Sequence, residues 1–265
     1  MIRAPARVLI IAGSDSSGGA GLQADIKTTT ALGAYAVTAV TAVTVQDTRG
    51  VHGLHYIPDF IVREQIACVL DDIGADAIKI GMLGSAAIVA AVADALQHRA
   101  QQIPVVLDPV LASSSGTTLL ENDGVAVLKA RLFPLATLLT PNIPEAEVLA
   151  AIPISDTNAM RHAGESLRAL GAAAVLVKGG HATGDCVEDV LVAADSVRVF
   201  SFGRIDSRKA RGTGCMLSTA IASGLAQSLP LDESIERARK FVQEAIRTAP
   251  DFGRGRGPLN HLLRS

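Results

Sequence analysis

Residues 212–215 read Gly-Thr-Gly-Cys and run directly into an apolar, Ala- and Ser-rich stretch, 216–229. That pattern is a glycine turn opening onto a helix. The first backbone N–H groups of a helix have no intrahelical partner, the helix dipole favours negative charge there, and glycines let a ligand approach the chain closely. Cys215 shares this field, which predicts a thiol of lowered pKa that can act as acid, base or nucleophile near neutral pH. Phosphoryl transfer heads the chemistry such a turn can serve. Gly-x-Gly before a helix is also ordinary turn chemistry, and a free cysteine is often a small buried hydrophobe. The tetrapeptide therefore needs partners elsewhere in the chain.

The elements that would position those partners are short β-branched runs alternating with helical patterns. Strands are expected at 8–12, 37–45, 77–80, 105–107, 137–140 and 175–177. Helices are expected at 21–32, 58–73, 86–98, 124–131, 159–170, 213–229 and 232–248. This alternation predicts an α/β fold with a mostly parallel central sheet and helices on both faces. Between 190 and 202 two apolar runs flank Ala193, Ala194, Asp195 and Ser196, which reads as an antiparallel hairpin at one sheet edge. The tail 253–258 reads as a loop. With 265 residues, 49% of them hydrophobic, residues 1–265 suffice for one domain with a large core.

Other classes of function are disfavoured. The 24 basic and 26 acidic residues leave a formal charge of −2 with no basic run, so neither nucleic acid nor an anionic membrane is an expected partner. Aromatic content is 3% with no tryptophan, too little for a base-stacking surface. The apolar run 8–12 is too short for a signal-peptide core, and Thr38, Thr41 and Thr44 interrupt the only long candidate for a membrane span. Three widely spaced cysteines, Cys68, Cys186 and Cys215, argue against a disulfide framework or a zinc site and fit a reducing cytoplasm. Cys68 and Cys186 are assigned structural roles. The six histidines lack metal-ligand spacing.

In open parallel sheets, ligands bind beyond the carboxyl ends of the strands. Residues 13–21, 46–50, 79–82, 108–110, 140–145 and 178–180 are polar or glycine-rich at the ends of apolar runs. The first glycine loop lacks both the P-loop ending and the Gly-x-Gly-x-x-Gly spacing, and reads equally as a loop closing over a small substrate. Asp25 either holds a substrate hydroxyl or amine or favours the positive end of a helix. Gln46 can donate and accept at once, which suits a heterocycle edge, or it caps a turn. Asp108 and Glu145 suit Mg²⁺ held through water, while Asp108 and Asn142 also suit turns beside prolines. Lys178 is either a point charge for a triphosphate or an exposed loop lysine.

Taken together, the segments 12–25, 46–50, 79–83, 107–110, 140–145, 178–181 and 212–218 closely resemble the hydroxymethylpyrimidine/phosphomethylpyrimidine kinases of thiamine biosynthesis, over nearly the whole chain. The resemblance implies a ribokinase-like fold, two successive phosphorylations of 4-amino-5-hydroxymethyl-2-methylpyrimidine from Mg-ATP, and a homodimer. By the same resemblance Gly13, Asp25, Gln46, Met82 and Val110 line the pyrimidine pocket. Asp108, Asn142 and Glu145 face Mg-ATP, Lys178 and Thr213 the phosphates, and Gly212, Thr213, Gly214 and Cys215 form the anion hole. Three positions depart from the pattern: Asp47 stands where many relatives have Asn, Ser16 where many have Pro, and Arg211 where His is frequent.

Ribokinase-like sugar kinases are expected, by resemblance, to carry an aspartate at the place of Cys215. A thiol can assist deprotonation of a hydroxyl in a first transfer and stay neutral before an anionic phosphate in a second. The nearest alternative is a vitamin B6 kinase. A dinucleotide-dependent oxidoreductase lacks its fingerprint here, and a non-catalytic pyrimidine sensor would not require Cys215, Lys178 and Glu145 together.

Overall fold

The computed structural model describes residues 4–113, 116–181, 184–205 and 210–263. Its centre is a sheet formed by β1 (Arg7–Asp15), β2 (Tyr35–Gln46), β3 (Val51–Tyr56), β4 (Ala77–Ile80), β5 (Val105–Leu107), β6 (Leu138–Leu139), β7 (Val175–Val177), β8 (Cys186–Val192) and β9 (Val197–Gly203). The spatial order is β3-β2-β1-β4-β5-β6-β7-β8-β9. The six strands from β2 to β7 run parallel, and both edges are antiparallel.

Alternation along the buried strands divides the core in two. Val8, Ile10, Ala12, Ala77, Val106, Leu138 and Leu176 face a layer made by α1 (Gly21–Ala31), α7 (Thr213–Ala226) and α8 (Leu231–Arg247). Leu9, Ile11, Ile78, Ile80, Leu107, Leu139 and Val177 face the opposite layer, made by α2 (Asp59–Asp72), α3 (Ala86–Arg99), α4 (Asn122–Arg131), α5 (Ile143–Ala150) and α6 (Thr157–Ala169). The parallel sheet thus has helices on both faces, and its strands read as continuous apolar runs for that reason.

Several expectations are corrected. Antiparallel pairing occurs at both edges, because β3 turns back on β2. Exposure of most of β3 leaves it without an apolar signal. The second hairpin starts at Cys186, before the apolar run at 190. The first strand extends past Ala12 to Asp15, with a register shift between Ala12 and Ser14 that re-aims the chain at Gly13. Residues 143–150 form a helix begun by Ile143 and Pro144, a place where proline is tolerated. The tail is not a free loop: β11 (Gly257–Pro258) pairs with β10 (Ala210–Arg211) just before the Gly212 turn. Cys68 and Cys186 are exposed, so neither fills a core.

Candidate active site

The strand order reverses between β1, whose successor β2 lies on one side, and β4, which lies on the other. A crevice at such a reversal, beyond the carboxyl strand ends, is where ligands enter α/β sheets. Here a cleft of about 560 Å³ is lined by residues from the ends of β1, β2, β4 and β5, from the start of α5, and from 211–215.

Gly212 opens α7 in the left-handed region, φ 87°, and no side chain caps the helix. A Cβ at this position would collide with the Gly19 carbonyl oxygen, so the turn requires glycine both for its backbone conformation and for this approach. Thr213, Gly214 and Cys215 line the cleft with the open first turn of α7. A Cβ on Gly214 would sit 3.2 Å from Lys178 Nζ, which places that ammonium against the anion hole.

Lys178 is not an exposed loop lysine. It is buried and donates to Asp108 Oδ1 at 2.7 Å. Asp108 Oδ1 is 3.3 Å from Thr140 Oγ1, Thr140 and Ser218 share a 2.8 Å hydroxyl contact, and Ser218 Oγ donates to the Gly214 carbonyl at 3.0 Å. This chain of polar contacts ties the ends of β5 and β6 to the first turn of α7. Asn142 is the N-cap of α5: its Oδ1 accepts from Glu145 N at 2.9 Å and Glu145 Oε2 accepts from Asn142 N at 2.9 Å. This capping box points both residues into the cleft. Burial pushes the Glu145 carboxyl up to about 7, with Lys178 opposing and Asp108 adding to the rise.

The other end of the cleft is apolar. Met82, Ala42 and Leu119 form a small cluster with Val110 packed on it, separate from the two main cores. A Cβ at Gly13 would come within 2.9 Å of Met82 Sδ, so the glycine lets β1 pass close to this wall. Gln46 ends β2 at the rim, and its Oε1 lies 2.9 Å from Thr44 Oγ1. Ser16 Oγ donates to the Gln46 carbonyl at 2.7 Å and accepts from Gln46 N at 3.0 Å, clamping the first glycine loop to β2. Asp47 Oδ1 accepts from the N–H groups of Arg49 and Gly50, bonds that an asparagine oxygen makes equally well.

Two expectations about the site fail. Asp25 does not line the cleft: it is fully buried behind it, with Lys79 Nζ 2.7 Å from Oδ2 and Thr219 Oγ1 2.7 Å from Oδ1. Both of its oxygens are already engaged. Nor is the Cys215 thiol acidic. It is only partly exposed, and desolvation raises its pKa to about 11, against the Lys79 ammonium, with Asp25 and Asp108 reinforcing the rise and the Gly21 backbone opposing it. Desolvation and two nearby carboxylates outweigh the helix terminus.

The sequence reading passed over two partnerships. Lys79, at zero exposure in the middle of β4, belongs to the site, and a lysine in the apolar run Ala-Ile-Lys-Ile was its visible signal. Arg211, the third departure from the family pattern, is expected from the sequence either to add positive charge beside the phosphates or to alter lid behaviour. It donates to Asp15 Oδ2 at 2.5 Å and to Ser17 Oγ, so its charge is met within the first glycine loop. The sequence offers two candidate lids, the glycine-rich segment 13–21 and the loop after Lys178, and the latter runs into residues 182 and 183, outside the described residues.

The family model described as Phosphomethylpyrimidine kinase matches residues 15–260. The chain is 45% identical over 263 residues to the hydroxymethylpyrimidine/phosphomethylpyrimidine kinase of Mycobacterium bovis, covering 98% of this chain and 95% of that one. It is 49% identical over 257 residues to the thiamine biosynthesis bifunctional protein ThiED of Geobacter sulfurreducens, covering 97% of this chain but spanning only 52% of that longer protein. Among solved structures, phosphomethylpyrimidine kinase from Clostridium difficile aligns with TM-score 0.81 at 39% identity, over 91% of this chain and 99% of that one. An ADP complex of Bacillus subtilis pyridoxal kinase aligns with TM-score 0.90 at 33% identity, over 97% and 98%. The ribokinase-like α/β fold expected from the sequence is therefore the fold observed. A kinase cleft built on this sheet, with a match spanning nearly the whole length, places the chain in the phosphomethylpyrimidine kinase family.

Proposed function

We propose that this protein transfers the γ-phosphoryl group of ATP to the hydroxymethyl oxygen of 4-amino-5-hydroxymethyl-2-methylpyrimidine, and then phosphorylates the resulting monophosphate. The observation that carries this reading is the joint opening of the uncapped α7 N-terminus and the Lys178–Asp108 pair into the same cleft as the apolar Met82–Val110 wall and Gln46. One end suits phosphates, the other a small flat heterocycle with a polar edge.

In the first transfer the substrate oxygen bonds to the γ-phosphorus as the bond to the β,γ-bridging oxygen breaks, ADP departs, and the hydroxyl gives up its proton. The transition state spreads negative charge over the transferring group, so positioning and electrostatics carry most of the catalysis. The backbone of residues 213–215 and the Lys178 ammonium meet that charge. Gln46 orients the ring, with Thr44 fixing its carboxamide. Cys215 is protonated in the resting protein, so it serves as base only in the minor fraction that has first lost its proton to water, and that thiolate then takes the proton the hydroxyl gives up.

Among the described residues no group of three or more His, Cys, Asp or Glu could enclose a metal ion. Asp108 and Glu145 on one wall nonetheless fit Mg²⁺, which takes one or two carboxylates and completes its shell with water and phosphate oxygens. When bound with ATP, Mg²⁺ would neutralise charge on the β- and γ-phosphates. Asn142 holds Glu145 toward that position through the capping box.

We assign a homodimer to the exposed edge hairpin of β2 and β3, where Val43 and Val45 on one face and Leu54 and Tyr56 on the other stand in solvent. No helix among the described residues is long and apolar enough to cross a membrane, and the three free cysteines suit the reducing cytoplasm.

The test is the amount of ADP released per hydroxymethylpyrimidine in a Mg-ATP reaction run to completion, with pyridoxine in parallel. Two ADP per pyrimidine is the expected result, and one would leave a single-step kinase. The close alignment with a pyridoxal kinase favours the same transfer to vitamin B6 as the second reading. Turnover of pyridoxine with none of pyrimidine would establish it.

A further inference from the structure

Lys79 is fully buried and occupies a strand position whose neighbours are Ile78 and Ile80. An ammonium there is costly unless its charge is met. Asp25 meets it at 2.7 Å, and Thr219 holds the other oxygen of that carboxylate at 2.7 Å. Thr219 lies one helical turn beyond Cys215, on the same side of α7. Lys79 also lines the cleft beside Cys215, and a Cβ at Gly81 would lie 2.7 Å from its Nζ, so the glycine leaves room for the ammonium there. The pair has no access to bulk solvent, so its field at the sulphur is screened less than that of a surface pair.

We infer that Lys79 is a positioning residue for phosphoryl transfer, with its ammonium fixed by Asp25 beneath the anion hole so that it stabilises negative charge arising on the Cys215 sulphur. The inference deepens the kinase reading and rests on it for the purpose that charge serves. The charges acting on the sulphur are those of Lys79 from β4, Asp25 from α1 and Asp108 from the end of β5, and the Gly21 backbone hydrogen-bonds it. Of the other cations lining the cleft, Lys178 is paired with Asp108, Arg211 with Asp15 and Arg239 with Asp189, and Arg256 is exposed. Of the charges acting on the thiol, that of Lys79 is the largest and the one that favours thiolate. Burial pulls the Lys79 pKa down, but Asp25, Cys215 and Asp108 outweigh it and the lysine stays charged, its pKa raised.

The test reads the thiol directly. In full-length protein, iodoacetamide alkylation of the Cys215 peptide is followed by mass spectrometry against pH, which separates it from the exposed Cys68 and Cys186. Lys79→Met should move the alkylation midpoint upward by about one pH unit or more, equivalent to about tenfold less thiolate at a fixed pH. Because that change strands Asp25, Lys79→Met is also made with Asp25→Asn, which removes both charges together, and a smaller upward shift is expected. An unchanged midpoint in folded variants would overturn the inference. Failure of the neutral pair to fold would make the two residues a structural strut and overturn it as well. No substrate is turned over in this assay, so an error in the substrate assignment would leave the thiol shift intact.

Discussion

Arg211 reaches back across the sequence to Asp15, with Nη2 and Oδ2 2.5 Å apart and both side chains buried, and so joins the strand before the Gly212 turn to the first glycine loop of the cleft. Asp15 also accepts from the N–H groups of Ser17, Gly19 and Ala20, so one carboxylate shapes the whole glycine loop. The residue that departs from the family pattern does not add free charge for phosphates; it fastens the loop.

Replacing Arg211 with Met should therefore loosen residues 15–20 and leave Asp15 short of its only cationic partner among the described residues. Breaking a buried pair costs about 3–5 kcal/mol when the remaining charge is stranded, but three backbone donors stay with Asp15 here. A loss of about 2–3 kcal/mol by chemical denaturation is expected, with KM for the pyrimidine raised more than kcat is lowered. Adding Asp15→Asn to Arg211→Met should cost less than the sum of the two single changes, since each single change already removes the pair. Additive losses would show that the two side chains act independently.

Lys178→Ala tests the phosphate end. The change takes a donor from the anion hole and leaves Asp108 buried without its 2.7 Å partner. Loss of one such donor typically lowers kcat by about 10²–10³-fold, and that fall is expected in both transfers because each passes through the same phosphoryl geometry. Lys178→Arg should recover little, since the added bulk meets Gly214, where even a Cβ would stand 3.2 Å from Nζ. Single-turnover rates for each step would check this. A fall confined to KM would move Lys178 from transition-state stabilisation to ground-state binding.

Glu145 gives a pH dependence with a definite sign. Its pKa is raised to about 7 in the folded protein from 4.5, so between those values the folded state holds more protons than the unfolded one. Stability attributable to this group is fully present below about pH 4.5 and is lost as pH rises through 7. Glu145→Gln keeps an acceptor for the Asn142 N–H and should stabilise the ligand-free protein at pH 8 by about 1–3 kcal/mol. It should at the same time weaken the response of melting temperature to Mg-ATP. Equal melting temperatures of the two proteins from pH 5 to pH 8 would remove this account.

The polar endings of apolar strands were legible because a parallel strand buried on both faces carries few polar residues except where it emerges. Asp108, Lys178 and the Gly212 turn were visible in that way. What stayed hidden depended on pairings far apart in sequence. The helix Ile143–Ala150 was obscured by Pro141 just before its N-cap and by Pro144, which its first turn accommodates. The strand Val51–Tyr56 lies mostly in solvent, and with His52, Gly53 and His55 in it there was no alternation to read. Asp25 looked like a ligand because its partner Lys79 is 54 residues away. Cys215 was expected to be acidic from the helix start alone; the burial that reverses the sign, and the two carboxylates that reinforce it, come from other parts of the fold.

The same carboxylates sharpen the consequence of exchanging Cys215 for aspartate. Asp25 and Asp108 already raise the thiol's pKa, so a carboxylate at 215 would be a third acidic group in this part of the protein. In the first transfer it would still serve as a base for a neutral hydroxyl. In the second the nucleophile is an anionic phosphate monoester, and repulsion between unit charges 4 Å apart at an effective dielectric constant of about 20 is roughly 4 kcal/mol. Cys215→Asp should then slow the second transfer by at least about 10²-fold more than the first. In the unaltered protein the thiol titrates at about 11, so the first transfer should quicken as pH rises from 7 to 9 while the second stays nearly level, the monoester needing no base. Separate rapid-quench rates for the two steps, starting from hydroxymethylpyrimidine and from its monophosphate, decide the matter. Equal losses in Cys215→Asp, together with parallel pH profiles, would mean that the sulphur's charge does not distinguish the two steps and that Cys215 serves both by shape alone.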